Sequence, residues 1–226
     1  MSACYSFICV PGAHSAMVFS ELADFLRSQG LGVINQRVQT TQNAPMRFDT
    51  NKVLFVSRLP DSWIQIVAWA SELNIDFAVW YFSNPLAVRL SRTMSPALFL
   101  WSFNGGSAAG YSVFQDGALC ESQSVGHLGG ISDGSFLNSN SSHLAAILND
   151  PAFHYREFIR SANADFEVAT ATLAERLGCK WHLLDIMDLI DGEGGIAVNA
   201  HKYVPMSTEG WTALEYATTK GTNGGR

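Results

Sequence analysis

The sequence predicts an α+β fold in which helices pack on a largely antiparallel sheet, and three observations lead to this prediction. Residues 97–103 form an apolar run of strand length that is bounded by turn residues. Asn104-Gly105-Gly106 and Asp116-Gly117 can each reverse the chain, so residues 97–121 are expected to form a three-stranded meander. Beyond residue 142 apolar residues recur at helical spacing, which predicts a helical C-terminal part. The sheet is therefore expected to be centred on the 97–121 meander.

The composition indicates a folded, acidic protein. The chain has 226 residues, of which 47% are apolar and 15% charged, and this is enough to bury a large core. A net charge of −6 disfavours nucleic acid as a partner and favours a protein with a basic surface. The sequence lacks the roughly 20 consecutive apolar residues of a membrane helix, and its first residues do not resemble a signal peptide. We therefore expect a cytoplasmic protein that binds neither membranes nor nucleic acid.

The cysteines and histidines predict neither a metal site nor a cofactor. Cys4, Cys9, Cys120 and Cys179 include no CxxC pair, so four reduced thiols are expected. The six histidines form no pair at ligand spacing, and the Asn104-Gly105-Gly106 turn lacks the lysine and the helix of a phosphate-binding loop. We expect no cofactor.

The N-terminal half alternates predicted strands with predicted helices. Strands are expected at residues 4–10, 32–38 and 52–57. A helix over 15–29 that ends at Gly30 joins the first two strands, which suggests a parallel crossover. Residues 63–82 fit the beginning of either a strand or a helix. Asn84 as a cap and Pro85 in the first turn then predict a helix over 86–93.

The second half is predicted to be a long loop followed by helices. Residues 122–142 are rich in Ser, Gly and Asn, and they are expected to separate a sheet lobe at 1–121 from a helical or mixed lobe at 143–218. Helices are predicted at 143–148, 152–160 and 164–177, a strand at 181–190, and a short helix from a Ser207-Thr208 cap through residue 218. Residues 219–226 are predicted to be a mobile tail.

A G-x-S-x-G pattern at 130–134 raises the hypothesis of a serine hydrolase. Its chemistry needs the serine on a sharp turn between a strand and a helix, with a histidine as base and an acid to orient that base. Ser132 would be the nucleophile, His127 or His201 the base, and Asp185 the acid. The flanking residues are polar and read as neither a buried strand nor a helix, so the pattern itself favours a turn without catalytic function.

An acidic cluster near the C-terminus is the predicted partner-binding site. It consists of Asp185, Asp188, Asp191 and Glu193. The spacing differs from that of an EF-hand loop, and a solvated acidic edge facing a basic partner explains it better than a metal site does.

Two segments resemble known families. The string ICVPGAH at 8–14, the helix after it and GLGV at 30–33 are similar to the first strand, oxyanion loop and first helix of the α/β-hydrolases. The string VGHLGG at 125–130 is similar to the elbow of that family, with Leu128 in the position of the nucleophile. Residues 63–121 resemble uncharacterised bacterial proteins of the toxin-immunity type through Trp63, Leu90-Ser91, the apolar run from Leu98, and the pattern Tyr111-x-Val113-Phe114-x-x-Gly117.

These resemblances imply two alternative functions. The immunity-type likeness implies a non-enzymatic inhibitor that binds a toxin or effector protein, and the negative charge and six tryptophans agree with such a role. The hydrolase likeness implies an enzyme that uses Ser132. Protein binding is the leading prediction, because the sequence contains no complete catalytic set.

Overall fold

The computed structural model describes ten segments of the chain, and every structural statement below concerns these segments. They are residues 4–38, 46–48, 53–57, 63–69, 84–103, 108–126, 141–161, 166–179, 196–198 and 211–219.

Eight of the described strands form one antiparallel sheet. The strands are β1 (Cys4–Pro11), β2 (Leu31–Val38), β3 (Met46–Phe48), β4 (Val53–Ser57), β5 (Trp63–Trp69), β6 (Ala97–Phe103), β7 (Ala108–Gln115), β8 (Ala118–Gly126), β9 (Ile196–Val198) and β10 (Trp211–Thr218). Their order in the large sheet is β2-β10-β4-β5-β1-β6-β7-β8, and β3 pairs with β9 in a separate two-stranded sheet. The predicted α+β class is therefore confirmed.

Helices cover both faces of this sheet. They are α1 (Ser15–Ser28), which follows a short 3-10 turn at Gly12–His14, α2 (Pro85–Thr93), α3 (Ser142–Ile147), α4 (Tyr155–Ser161) and α5 (Phe166–Arg176). Residues of α1 and α2 pack in one apolar cluster, and residues of α3, α4 and α5 pack in the other. The molecule thus has three layers, and the helices near the C-terminus form the third.

The central strands are apolar on both faces because each face is buried. In β1, Phe7 and Cys9 belong to the cluster beneath α3, α4 and α5, whereas Ile8 and Val10 belong to the cluster beneath α1 and α2. All four side chains are completely buried. A strand that is covered on both sides reads as a continuous apolar run, which explains the strings at 4–10, 53–57 and 97–103.

Local signals in the sequence account for several boundaries. Asn84 caps α2, because its Oδ1 accepts hydrogen bonds from the backbone N–H of Leu86 at 3.1 Å and of Ala87 at 3.0 Å. The turn between β7 and β8 has positive φ at both central residues, 51° at Asp116 and 82° at Gly117. That geometry suits a two-residue hairpin, and the predicted meander is confirmed.

Three local predictions need correction. Residues 211–218 form β10 instead of a helix, and this strand lies between β2 and β4. The strands β1 and β2 run in the same direction, but they are not neighbours, because β5, β4 and β10 lie between them. Residues 122–126 continue β8, although they were predicted to begin the long loop. The strand alternative for the start of the 63–82 segment is the one that is observed.

The polar strand end at 122–126 escaped prediction because it lacks an apolar pattern, and two of its polar side chains, Ser122 and Gln123, form hydrogen bonds inside the molecule. The Ser122 hydroxyl lies 3.0 Å from the Ser112 hydroxyl and donates to the Tyr111 carbonyl at 3.1 Å. Gln123 donates from Nε2 to the Ser141 hydroxyl at 2.9 Å. A run of serines therefore lies in the sheet without the apolar pattern that normally marks a buried strand.

Candidate functional site

The site residues predicted from sequence lie outside the described segments. They are Ser132, His127, His201, Asp185, Asp188, Asp191 and Glu193. In the part of the chain that the structure describes, no three His, Cys, Asp or Glu side chains are grouped so as to hold a metal ion. No helix among the described residues is long and apolar enough to span a membrane.

The two edges of the sheet differ in how well they are covered. The edge strand β8 has its middle residues, 121–124, fully or almost fully buried beside α3 and α4. The other edge strand, β2, pairs only with β10 among the described strands and has exposed side chains at Val33, Ile34, Gln36 and Val38. We call the side of Leu31–Val38 that faces away from β10 the β2 edge. It is the open edge of the described sheet.

The β2 edge concentrates exposed apolar surface. Only five large apolar side chains are exposed in the described segments, and three of them belong to Val33, Ile34 and Val38. Ile34 is the most exposed of the five at 56%. Single exposed apolar residues are common on proteins, whereas a group of them along one edge strand is typical of an interaction surface.

A β-bulge explains the exposure of Ile34. Glu215 of β10 faces Asn35, and the next residue of β10, Tyr216, faces Val33, so Ile34 has no partner across the ladder. The extra residue disrupts regular pairing and increases the local twist. Bulges on edge strands limit uncontrolled stacking of sheets, so this edge suits one short added segment better than repeated self-association.

A buried carboxylate anchors the β2 edge to the sheet. Glu215 is completely buried and accepts a hydrogen bond from Asn35 Nδ2 at 2.9 Å. Its Oε2 also lies 3.3 Å from Nε of Arg37, whose side chain is 33% exposed. Since a buried carboxylate is costly without partners, Asn35 and Arg37 hold β2 in its register against β10.

A second buried carboxylate organises the opposite edge. Glu121 in β8 accepts hydrogen bonds from the Tyr111 hydroxyl at 2.8 Å and from the backbone N–H groups of His143 at 2.8 Å and Leu144 at 3.0 Å. His143 Nδ1 lies 3.3 Å from the same carboxylate. A carboxylate beside the first N–H groups of a helix satisfies donors that have no partner within the helix. Glu121 therefore fastens α3 to the sheet, and the observed contacts describe a structural role.

Two tyrosines stack edge to face beside Glu121 and differ in their polar contacts. The ring centroids of Tyr111 and Tyr155 are 4.7 Å apart, with 70° between the ring planes. The Tyr155 hydroxyl is buried and has no hydrogen-bond partner among the described residues, whereas Tyr111 donates to Glu121. Burial raises the pKa of both phenols, and the charge of Glu121 raises the pKa of Tyr111 further.

The two buried carboxylates, though not all of their partners, could have been predicted from the sequence. Glu121 and Glu215 each stand in an otherwise apolar or small-residue strand segment, in the strings ALCES and TALEYA. An acidic residue in such a segment marks a buried charge that needs partners. Most of their partners could not be inferred, because Asn35, His143 and Leu144 lie more than twenty residues away along the chain; Tyr111, ten residues from Glu121, is the near exception.

Comparison with models of protein families, with curated proteins and with solved structures found no match.

Proposed function

We propose that this is a non-enzymatic protein-binding protein, of the kind represented by immunity-type inhibitors of toxins or effectors, and that the partner binds at the β2 edge. The observation that carries the proposal is the group of three exposed apolar side chains, Val33, Ile34 and Val38, on an edge strand of the described sheet. The β8 edge is a poorer candidate, because its middle residues are buried.

The expected mode of binding is strand addition. An extended segment of the partner would pair with the backbone of β2 along the side that faces away from β10, and its side chains would contact the exposed apolar residues. Backbone pairing supplies affinity, and contacts with the exposed side chains of β2 supply specificity. Ile34 is the expected centre of the contact, since it is the most exposed and the bulge sets it apart.

Charge favours a basic partner. The chain carries a net charge of −6, which raises the rate of encounter with a positively charged protein. The sequence predicts the acidic residues that would contact such a partner, namely Asp185, Asp188, Asp191 and Glu193. The β2 edge contributes apolar contact and the acidic residues contribute attraction.

A pair of matched substitutions tests this proposal. Ile34→Lys places a charge on the β2 edge, and Val168→Lys places the same charge on α5 at almost the same exposure, 56% against 55%. Burying a fully exposed isoleucine is worth about 1.5–3 kcal/mol. Because Ile34 is 56% exposed, about half of that free energy is available, and Ile34→Lys should weaken binding by roughly four- to fifteen-fold. Val168→Lys should bind like the wild type.

The protein encoded by the adjacent gene is the first candidate to be tested as the binding partner. Pull-down from the source cell identifies a partner, and titration of the purified pair measures affinity. The proposal is overturned if no protein partner is retained or if both lysine variants bind equally well. It is also overturned if light scattering finds a dimer that Ile34→Lys alone dissociates, because the occupant of the edge is then a second copy.

The alternative of a serine hydrolase has its own test. A fluorophosphonate probe reacts with activated serines, and labelling that Ser132→Ala abolishes would favour the enzyme. Under the binding proposal we expect no labelling of the wild type. The same protein sample serves both tests, so the two outcomes can be compared directly.

A further inference from the structure

Two cysteines that are far apart in sequence meet inside the molecule. The sulfur atoms of Cys9 and Cys179 lie 3.1 Å apart, and 170 residues separate the two positions. Both side chains are buried, Cys9 completely and Cys179 with 5% exposure. They belong to the same apolar cluster, between the sheet and the layer of α3, α4 and α5.

The backbone around Cys179 is fixed by the way α5 ends. Gly178 has a φ of +72°, and its N–H donates to the Glu175 carbonyl at 2.8 Å. The Cys179 N–H donates to the Ala174 carbonyl at 2.9 Å. These two bonds form a Schellman motif, in which the residue after the glycine turns back towards the apolar side of the helix. Cys179 is that residue, so the helix end directs it into the core.

The end of α5 is also bonded to the sheet close to Cys9. The N–H of Trp63 in β5 donates to the Leu177 carbonyl at 3.4 Å. In the sheet, Cys9 pairs with Gln65 of β5 and with Leu98 of β6. Because the sheet holds Cys9 on both sides and the helix end holds Cys179, neither thiol needs a large backbone movement to meet the other.

We infer that Cys9 and Cys179 form a disulfide bond when the protein meets a small-molecule disulfide such as oxidised glutathione. The Cys179 thiolate attacks one sulfur of the oxidant, forming a mixed disulfide and releasing one glutathione thiolate. The Cys9 thiolate then attacks the Cys179 sulfur, forming the internal bond and releasing the second glutathione. The two protein thiols lose two electrons and two protons in total, and the oxidant gains them.

The order of attack follows from exposure. Cys179 retains some contact with solvent and Cys9 has none, so the oxidant reaches Cys179 first. Burial raises the pKa of the Cys9 thiol, and its hydrogen bond to Cys179 raises that pKa further, so Cys9 reacts only as the second thiol. The pair is thus a site of covalent modification that joins the central strand β1 to the end of α5. This inference is independent of the proposed function.

The test uses the full-length protein with Cys4→Ser and Cys120→Ser, so that only the pair can react. The protein is incubated with oxidised glutathione below its unfolding temperature and then digested without reductant. We expect a peptide that links Cys9 to Cys179 and an intact mass lower by about 2 Da. A glutathione adduct without the linked peptide, or no change in mass, overturns the inference.

A stability measurement gives a second readout. A bond that closes so long a loop should raise the melting temperature by about 5–15 °C, and reductant should reverse the rise. Cys179→Ala in the same background should show no rise, and an equal rise in that variant overturns the inference. If Cys179→Ala does not fold, the linked peptide in the protein that retains both thiols decides the outcome.

Discussion

The same chemical change in two neighbouring tyrosines should shift stability in opposite directions. Tyr155→Phe removes a buried hydroxyl that has no partner among the described residues, so this variant should be more stable than the wild type. Tyr111→Phe removes the hydrogen bond to Glu121 at 2.8 Å, so that variant should be less stable. Both substitutions keep the two rings, which pack at 4.7 Å, and each serves as the control for the other.

The expected magnitudes follow from the contacts. An unsatisfied buried hydroxyl costs about 1–3 kcal/mol, and the lost packing of one oxygen reduces the gain from Tyr155→Phe to roughly 1 kcal/mol. A hydrogen bond to a charged group contributes about 1.5–3 kcal/mol, so Tyr111→Phe should lose roughly 2 kcal/mol. Glu121 keeps its backbone donors from His143 and Leu144, which limits the loss. The two variants should differ by about 3 kcal/mol.

Urea unfolding at pH 7 measures both variants. The midpoint should rise for Tyr155→Phe and fall for Tyr111→Phe, with unchanged slopes, so that the midpoints report stability directly. A Tyr155→Phe midpoint at or below that of Tyr111→Phe would refute the reasoning. It would mean that the Tyr155 hydroxyl contributes a favourable interaction in the folded protein.

Three other perturbations have defined outcomes. Asn84→Ala should lower the free energy of unfolding by about 1 kcal/mol in thermal melts, whereas Asn84→Ser, which keeps a neutral oxygen acceptor at the start of α2, should lose less. Gly110→Ala should lower the free energy of unfolding by about 1–3 kcal/mol in the same melts. The new Cβ would overlap the Trp101 ring and lie 2.7 Å from the Gln123 carbonyl oxygen. An unchanged melting temperature would show that β7 has room to move. Burial raises the folded-state pKa of Tyr155, so ionisation of this phenol favours the unfolded protein: it leaves the free energy of unfolding unchanged below the unfolded pKa of about 10 and lowers it above that pH by about 1.4 kcal/mol per pH unit. Tyr155→Phe should flatten that alkaline decline in unfolding experiments, and a decline of equal slope in both proteins would contradict this assignment.

Much of the local structure could be predicted because the signals act within a few residues. The Asn84-Pro85 pair specifies the start of α2, since the cap bonds reach only to Leu86 and Ala87. Asp116-Gly117 specifies the hairpin between β7 and β8, since both residues tolerate positive φ. The α+β class and the central meander follow from such local rules together with the apolar runs.

The prediction for residues 211–218 failed because local propensity was overruled by the sheet. Ala213, Leu214 and Glu215 favour helices, and Ser207-Thr208 offered a cap. In the structure Trp211, Ala213 and Glu215 lie towards one face of β10, whereas Leu214 and Tyr216 lie towards the other. A strand between β2 and β4 buries the side chains on both of its faces. A helix in that position could not form backbone hydrogen bonds with both neighbouring strands.

The candidate binding site could be predicted only in part. A strand at 32–38 was expected from its sequence, yet nothing in the string LGVINQRV shows whether its neighbours lie on one side or both. That depends on β10, which pairs with β2 from nearly 180 residues further along the chain. The predicted acidic and catalytic residues lie outside the described segments, so they stay predictions.

By itself the sequence determined the fold class, the buried central strands, the caps and the tight turn, because each depends on side chains that interact with their near neighbours in the chain. Only the tertiary structure decided which strands lie side by side, and hence that β2 is an edge strand of the described sheet, that Glu121 and Glu215 have partners, and that Cys9 faces Cys179. These features join residues that are distant in the chain. They arise from burial of both faces of one sheet, a constraint that belongs to the whole chain and to no single segment.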